Sequence, residues 1–142
     1  MRTVRQLLEA KSLDIHSVAP DTPVVDAIRL MAQKGIGAVL VMDGPRLAGI
    51  VSERDYARKV VLHGRASSTT PVSVIMTADV FTVGPDDTVD RCMVSVTERR
   101  IRHLPVVRDG HVEGVVSIGD LVKAVIEDQQ LELDQLQRYI AS

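Results

Sequence analysis

An internal duplication constrains the fold of this chain more than any other feature. Laying residue 15 over residue 80 aligns residues 15–61 with residues 80–126 without a gap. The aligned copies share Pro-Asp, Gly-x-Val-Ser and Ser-x-x-Asp in register, a combination that chance matches between two Val-rich segments do not produce. A repeat of this size buries too little apolar surface to be comfortably stable alone, so neighbouring copies pack together. We therefore expect two similar modules related by pseudo-twofold symmetry.

Each copy is predicted to form a βαββα unit, which places the chain in the α/β (α+β) class. Apolar residues at helical spacing follow the Pro-Asp pair of each copy, where Thr22 and Asp87 are predicted to cap the helix. Two apolar runs come next, joined by turns at Asp43-Gly44 and Asp109-Gly110. A second helix that begins at the Ser-x-x-Asp segment completes each copy.

The limits of the repeat predict the domain organisation. The leading helix should carry Val4, Leu7 and Leu8 on its inward face. The last helix should overrun the second copy, because apolar residues continue at helical spacing as far as Ile140, and this stripe should pack on the first copy or on another subunit. The predicted segments are a leading helix (1–14), a first repeat (15–63), a polar linker (64–74), a second repeat (75–128) and a C-terminal helical extension (129–142).

Composition and charge argue against several classes of partner. The formal net charge is −2 and the chain has no Trp, one Phe and two Tyr, so it offers neither a basic excess nor an aromatic platform for nucleic acid. Cys92 is the only cysteine, which excludes an internal disulfide and suits a reducing cytoplasm. No apolar run has the length of a membrane span or a signal core. We expect a cytoplasmic protein that binds neither nucleic acid nor membrane.

The sequence also lacks the motifs of an independent enzyme. There is no Gly-x-x-x-x-Gly-Lys loop, and Gly35-x-Gly37 follows a helix instead of opening one. No nucleophile, base and orienting acid recur as a set. The histidines His16, His63 and His111 have no ligand-like spacing with acids or with one another. We therefore expect no catalytic residues, no metal site and no required cofactor.

Three segments closely resemble signatures of the cystathionine β-synthase (CBS) domain family. They are Gly49-Ile-Val-Ser-Glu-Arg-Asp55, Gly114-Val-Val-Ser-Ile-Gly-Asp120 and Ile101-Arg-His-Leu-Pro-Val106, and the resemblance extends from residue 15 to about residue 128. The Arg-Asp-Tyr-Ala-Arg-Lys run at residues 54–59 resembles the short, free-standing tandem pairs of that family. The resemblance implies a disc-like pair that usually dimerises, has two clefts able to hold adenosine nucleotides and regulates without catalysing.

The resemblance also implies binding residues. In the family the Asp of Ser-x-x-Asp holds both ribose hydroxyls, while the neighbouring hydroxyl and the helix amides face phosphate. A capping box explains the same motif without any ligand, and both roles are compatible at one helix start. Each implied cleft takes residues from both copies. One would combine Ser52, Arg54 and Asp55 with Val80, Phe81, Arg102, His103 and Pro105; the other would combine Ser117, Gly119 and Asp120 with Ile15, His16, Gly37, Ala38 and Leu40.

The two implied clefts are not equivalent in charge. Arg54 corresponds to Gly119, and Arg102 and His103 correspond to Gly37 and Ala38, so the cleft built on Asp120 is expected to have lost its cations. A charge-assisted hydrogen bond to phosphate contributes about 1.5–3 kcal/mol, which predicts tighter binding at Asp55. The expected ligands are AMP, ADP or ATP, with NAD(P) as a further candidate.

The expected role is to sense an adenine nucleotide and to signal to a regulated protein that the sequence does not identify. The alternative is a ligand-free module for dimerisation or scaffolding. We expect a homodimer, formed by the helices that follow Thr22 and Ser52 in preference to the C-terminal tail.

Overall fold

The computed structural model describes residues 2–11 and 14–141. These residues form two units, which we call the N-terminal unit (residues 14–81 with 110–112) and the C-terminal unit (residues 2–11, 82–109 and 113–141). In chain order the elements are α1 (Val4–Glu9), β1 (Ser17–Val18), α2 (Val24–Lys34), β2 (Ala38–Asp43), β3 (Arg46–Ser52), α3 (Glu53–Asp55), a π-helix (Tyr56–Val61), α4 (Val72–Ile75), α5 (Val89–Arg99), β4 (His103–Arg108), β5 (His111–Ser117) and α6 (Ile118–Ala141).

The N-terminal unit is built on a three-stranded sheet in the order β1-β2-β3. β1 is parallel to β2, and β2 is antiparallel to β3 in a register that places Ala38 opposite Ser52. The loop between β2 and β3 is Gly44-Pro45, since Asp43 still pairs with Arg46, so the predicted Asp43-Gly44 turn lies one residue too early. The core of this unit contains Val24, Ala27, Met31, Val39, Val41, Ala48, Val51, Val60, Val72 and Ile75.

The C-terminal unit has a shorter sheet, formed by β4 and β5. The strand predicted before α5 is reduced to one parallel bridge between Val83 and Val106, the counterpart of the Val18 and Val41 pair in β1 and β2. Pro105 explains the loss. Its counterpart Leu40 donates its N–H to the His16 carbonyl at 3.1 Å, and a proline has no N–H to donate.

The predicted caps of the two repeat helices are wrong. The Thr22 hydroxyl accepts from Ala19 N–H at 3.1 Å and the Asp87 carboxylate accepts from Gly84 N–H at 2.7 Å, so each side chain closes the turn before its helix. Thr88 caps α5 instead, because its hydroxyl accepts from the Arg91 N–H at 3.2 Å. α2 has Pro23 as its N-cap residue and no side-chain cap.

The leading helix was predicted with the right inward face, and the structure shows where it packs. Val4, Leu7 and Leu8 are buried at 0%, 6% and 7% exposure. Although α1 precedes the first repeat in the chain, it belongs to the C-terminal unit with the second repeat, where Val4 N–H donates to the Asp87 carbonyl at 2.8 Å. α4 has the equivalent place in the N-terminal unit, since Val72 N–H donates to the carbonyl of Thr22 at 2.8 Å.

The structure corrects the predicted linker and shows how far the last helix extends. Residues 64–74 are not simply a polar linker, because Val72 is fully buried and begins α4. The last helix is continuous from Ile118 to Ala141, past the predicted end of the second repeat at residue 128. Its residues 129–141 are all exposed.

Candidate functional site

The first candidate carboxylate lies where β3 passes into α3. The Ser52 hydroxyl accepts from Asp55 N–H at 3.2 Å, and Asp55 Oδ2 accepts from the Ser52 amide at 2.9 Å and from the Ser52 hydroxyl at 3.1 Å. Lys59 pairs with Asp55 Oδ1 at 3.2 Å and donates to the Ile75 carbonyl at 2.9 Å. The predicted capping box is therefore confirmed, and the carboxylate is held from both sides with its side chain 15% exposed.

The second candidate carboxylate has the same cap and a different cation. Asp120 Oδ2 accepts from Ser117 N–H at 2.9 Å, and the Ser117 hydroxyl accepts from Asp120 N–H at 3.2 Å. Lys11, two residues beyond the end of α1, donates to Asp120 Oδ2 at 2.8 Å and to the Val115 carbonyl at 2.9 Å. Burial by itself raises the pKa of Asp120, but the Lys11 ammonium and the Ser117 amide outweigh it and hold the pKa below its usual value.

Lys11 is a cation at the Asp120 site that sequence reasoning did not anticipate, and the predicted loss of counterparts to Arg54, Arg102 and His103 stays a prediction. The Asp120 site was expected to have lost its cations, but an ammonium from outside the repeat lies against its carboxylate. Lys59 is the matching ammonium in the N-terminal unit, and its counterpart in the second copy, Ala124, is fully buried. Sequence reasoning missed both lysines, since Lys11 lies outside the duplicated segment and Lys59 is not repeated.

The first-turn amides are less available to phosphate than expected. Glu53 N–H donates to the Gly37 carbonyl at 3.1 Å, and Ile118 N–H donates to the Arg102 carbonyl at 2.8 Å, because the strand that opens each hairpin begins beside the helix start. The amide three residues after Ser52 or Ser117 is bonded to that serine. Among the described residues, no hydrogen bond joins the amide of Arg54 or Gly119 to another element.

The structure distributes the other predicted site residues between the two units. The N-terminal unit contains Ile15, His16, Gly37, Ala38, Leu40, Val80 and Phe81 together with Ser52, Arg54 and Asp55. The C-terminal unit contains Arg102, His103, Pro105 and Gly119 together with Ser117 and Asp120. Within the units, Gly37 and Ala38 lie beside Ser52 through the hairpin register, and Arg102 lies beside Ser117 through its carbonyl. The grouping of residues from both copies in one cleft stays a prediction.

One concave surface in the C-terminal unit does not include Asp120 in its lining. A groove of about 430 Å³ in the C-terminal unit is lined by Arg5, Leu8, Glu9, Arg108 and Glu113. Its cations are already paired, Arg108 with Glu113 at 3.0 Å and Arg5 with a neighbouring Asp carboxylate at 2.8 Å. None of its lining residues was predicted to bind a ligand.

Other candidate groups have structural roles or are not clustered. Cys92 is 1% exposed on the inner face of α5, as predicted for a small core residue, and burial raises the pKa of its thiol to about 11. Within the described ranges 2–11 and 14–141, no three His, Cys, Asp or Glu side chains are close enough to hold a metal ion. No helix in the described part of the chain is long and apolar enough to cross a membrane.

Comparison with known proteins shows the relatives of this chain. Residues 4–62 and 72–127 each match the CBS domain family model. The mitochondrial CBS domain-containing protein CBSX3 of Arabidopsis thaliana is 44% identical over 125 residues, which cover 84% of this chain and 61% of the relative. The chain therefore spans less than two thirds of that relative. YhcV of Bacillus subtilis (strain 168) is 28% identical over 113 residues, which cover 80% of each protein.

Solved structures share the fold over nearly the whole chain. A CBS-domain protein of Burkholderia ambifaria MC40-6, described as a candidate for signal transduction, is 56% identical with a TM-score of 0.88, covering 90% of this chain and 96% of that one. The CBS domain pair of MJ0100, solved with 5′-methylthioadenosine and S-adenosyl-L-methionine, is 22% identical with a TM-score of 0.79, covering 90% and 98%. The second likeness concerns the fold alone.

Proposed function

Because this chain belongs to the CBS domain family, with a family match over each of its repeats, we propose that it is a non-catalytic module that binds an adenine nucleotide and regulates another protein. The proposed ligands are AMP, ADP and ATP, with NAD(P) as a further candidate. Binding is proposed at the Asp55 and Asp120 helix starts, and the regulated protein is a partner of unidentified sequence. The predicted cytoplasmic setting belongs to this proposal, although the Arabidopsis relative is mitochondrial.

The two carboxylates support a role in binding ribose. Each belongs to a Ser-x-x-Asp segment and is fixed by its serine amide, so it does not need to reorganise when a ligand arrives. An ionised carboxylate has about four acceptor positions, and neither Asp55 nor Asp120 uses all of them. A vicinal diol donates two hydrogen bonds to one carboxylate, and the fold of this chain holds adenosine-bearing ligands in the MJ0100 pair.

The phosphates of the ligand are proposed to lie near Arg54. This exposed residue follows the capping serine by two positions, and no hydrogen bond joins its amide to another element in the described part of the chain. Because the Arg54 guanidinium is proposed to bind phosphate and not ribose, Arg54→Ala should weaken ATP binding more than adenosine binding. The family resemblance implies further contacts that belong to this proposal: Val80, Phe81, Arg102, His103 and Pro105 for one site, and Ile15, His16, Gly37 and Ala38 for the other.

Calorimetry with adenosine, AMP, ADP and ATP tests the proposal directly. Asp55→Asn keeps an acceptor for the capping bond but removes the charge, so we expect it to abolish most high-affinity binding while the protein stays folded. Asp120→Asn should remove a weaker phase or nothing. Asp21→Asn, a change at an exposed carboxylate outside both helix starts, is the matched control and should bind as wild type. Absence of heat with every nucleotide would refute the proposed function, and a larger loss in Asp120→Asn would refute the order of affinities.

Exposed apolar residues on α6 favour the second part of the proposal, a homodimer. Ile126, Leu133 and Ile140 are 59%, 52% and 74% exposed and recur every seven residues, the spacing that pairs one helix with another copy of itself. Val122 and Leu136, at 40% and 55%, lie in the same stripe. We propose that a second copy covers this stripe, whereas the sequence had favoured the helices after Thr22 and Ser52.

Light scattering at micromolar concentration tests the dimer, and truncation tests its interface. The full chain should have twice the mass of one protomer, and a chain ending at Asp128 should be monomeric. A dimer that survives the truncation would assign the interface to the helices after Thr22 and Ser52 instead. A dimer that binds no nucleotide would favour the alternative function, a ligand-free scaffolding module.

A further inference from the structure

The lysines that pair with the two candidate carboxylates come from different parts of the chain. Lys59 follows Asp55 by one helical turn in the same segment, whereas Lys11 reaches Asp120 from the end of the leading segment. Each ammonium bridges its carboxylate and one backbone carbonyl at 2.9 Å. A ligand that disturbs Lys59 affects its own helix and the end of α4, where Ile75 lies, whereas a ligand that disturbs Lys11 affects a segment more than a hundred positions away in sequence.

The lysines also differ in the oxygen they contact. At Asp120 both Lys11 and the Ser117 amide donate to Oδ2, and no donor to Oδ1 is found in the described part of the chain. At Asp55 the ammonium is on Oδ1, and Oδ2 accepts from the amide and the hydroxyl of Ser52. With about two acceptor positions per oxygen, Oδ2 is filled at both sites and Oδ1 has room at both.

A vicinal diol that donates one hydroxyl to each oxygen of a carboxylate displaces a donor from Oδ2. At Asp55 the group that yields is the Ser52 hydroxyl, which needs only to rotate about its own bond. At Asp120 the Ser117 amide is fixed at the helix start, so the group that yields is the Lys11 ammonium. The same ligand therefore meets an obstacle at Asp120 that it does not meet at Asp55.

We propose that Lys11 competes with the ribose diol for Asp120, so that ligand binding at this site detaches Lys11 and loosens the turn that ends α1. The inference rests on the proposed function and adds a regulatory consequence to the Asp120 site. The movement concerns Ala10 and Lys11, because Val4, Leu7 and Leu8 hold α1 in place by their burial and Arg2 remains paired with Glu127 at 2.9 Å.

Removing the lysine should strengthen binding at Asp120. In an Asp55→Asn background, which leaves Asp120 as the binding carboxylate, Lys11→Met should bind adenosine about two- to fivefold more tightly by calorimetry, the range that a partly exposed ion pair supports. Arg5→Met is the matched control, since it removes a cation of the same segment whose partner Asp86 lies elsewhere, and it should leave the affinity unchanged. Thermal unfolding of each variant checks that it is folded.

Hydrogen exchange reports the release itself. The Lys11 amide donates to the Leu8 carbonyl at 3.4 Å, a bond at the end of α1 that should open more often once the side chain is detached. Saturating adenosine should therefore speed exchange at Lys11 in the Asp55→Asn protein, and Asp120→Asn should do so without any ligand.

Three outcomes separate the hypotheses. If wild type binds none of the nucleotides, the proposed function fails and this inference fails with it. If wild type binds but Lys11→Met leaves adenosine affinity unchanged, the competition is refuted while the proposed function stands. If Lys11→Met weakens AMP more than adenosine, Lys11 contacts the phosphate and the inference is equally wrong.

Discussion

The change of Gly49 to Ala tests how closely α4 and the chain after it pack on β3. A Cβ built on Gly49 would lie 2.6 Å from Met76 Sδ and 2.8 Å from the Thr77 carbonyl oxygen. The methionine end can move, but the carbonyl cannot, because Thr77 and Ile50 exchange both of their backbone hydrogen bonds at 3.0 and 2.9 Å. Gly49→Ala should therefore strain backbone as well as side chain.

The equivalent glycine of the second repeat supplies the comparison. A Cβ on Gly114 would lie 2.8 Å from Leu8 Cδ2, and the nearby atoms all belong to that one flexible side chain. Overpacking costs about 1–3 kcal/mol, and replacing Gly by Ala in a strand returns about 0.5–1 kcal/mol. Taking the upper cost for Gly49 and the lower for Gly114, we expect net losses of about 2 kcal/mol and below about 0.5 kcal/mol.

Thermal unfolding followed by circular dichroism measures the difference. Gly49→Ala should lower Tm by about 4–8 °C and Gly114→Ala by less than about 2 °C. Gly84→Ala is the control, because its Cβ would meet only an Asp87 oxygen at 3.8 Å and the first repeat already has Ala19 at that position. Equal stability of Gly49→Ala and Gly114→Ala would refute the reasoning, as would a Gly49→Ala protein that unfolds like wild type.

Three further predictions follow from single positions. Arg100 ends α5 in the left-handed conformation at φ 55°, where the first repeat has Gly35 at φ 64°, so Arg100→Gly should raise the free energy of unfolding by about 0.5–1 kcal/mol in a denaturant titration. Burial raises the pKa of the Cys92 thiol from 9.0 to about 11, so as pH rises the thiol loses its proton in the unfolded chain before it does so in the folded one. The free energy of unfolding should therefore fall as pH rises through that interval, and it should fall less in Cys92→Ala. A Cβ on Gly119 meets only a serine hydroxyl at 3.6 Å, so Gly119→Arg should fit and supply a counterpart to Arg54. Calorimetry should then show ATP affinity raised by about tenfold or more, with adenosine affinity unchanged.

The elements within each repeat were predictable because their signals are local. The period of the apolar residues identified both repeat helices and their inner faces, including Cys92, and the Ser-x-x-Asp spacing identified both capping boxes. Errors arose where several local hydrogen bonds compete. Thr22 and Asp87 have side chains suited to a helix cap, but in the structure they close the preceding turn, and only the folded backbone shows which bond forms.

The leading helix shows how a repeat escapes detection. Val4, Leu7 and Leu8 correspond to Val72, Ile75 and Met76, but residue 4 aligns with residue 72 while residue 15 aligns with residue 80, so the register changes by three. A gapped comparison of the two segments would have found the match. It would not have shown that each helix packs with the repeat other than the one it precedes, since sequence order does not specify long-range contacts.

The sequence by itself determined the duplicated fold, the family and the two carboxylates, because duplication, apolar period and motif spacing are written along the chain. Only the tertiary structure decided what surrounds those carboxylates. Lys11 reaches Asp120 across more than a hundred positions of sequence, and Pro105 shortens a sheet whose partner strand lies far back in the chain. The physical reason is that an ammonium or a missing N–H acts over a few ångströms of space, and only folding determines which distant residues come that close.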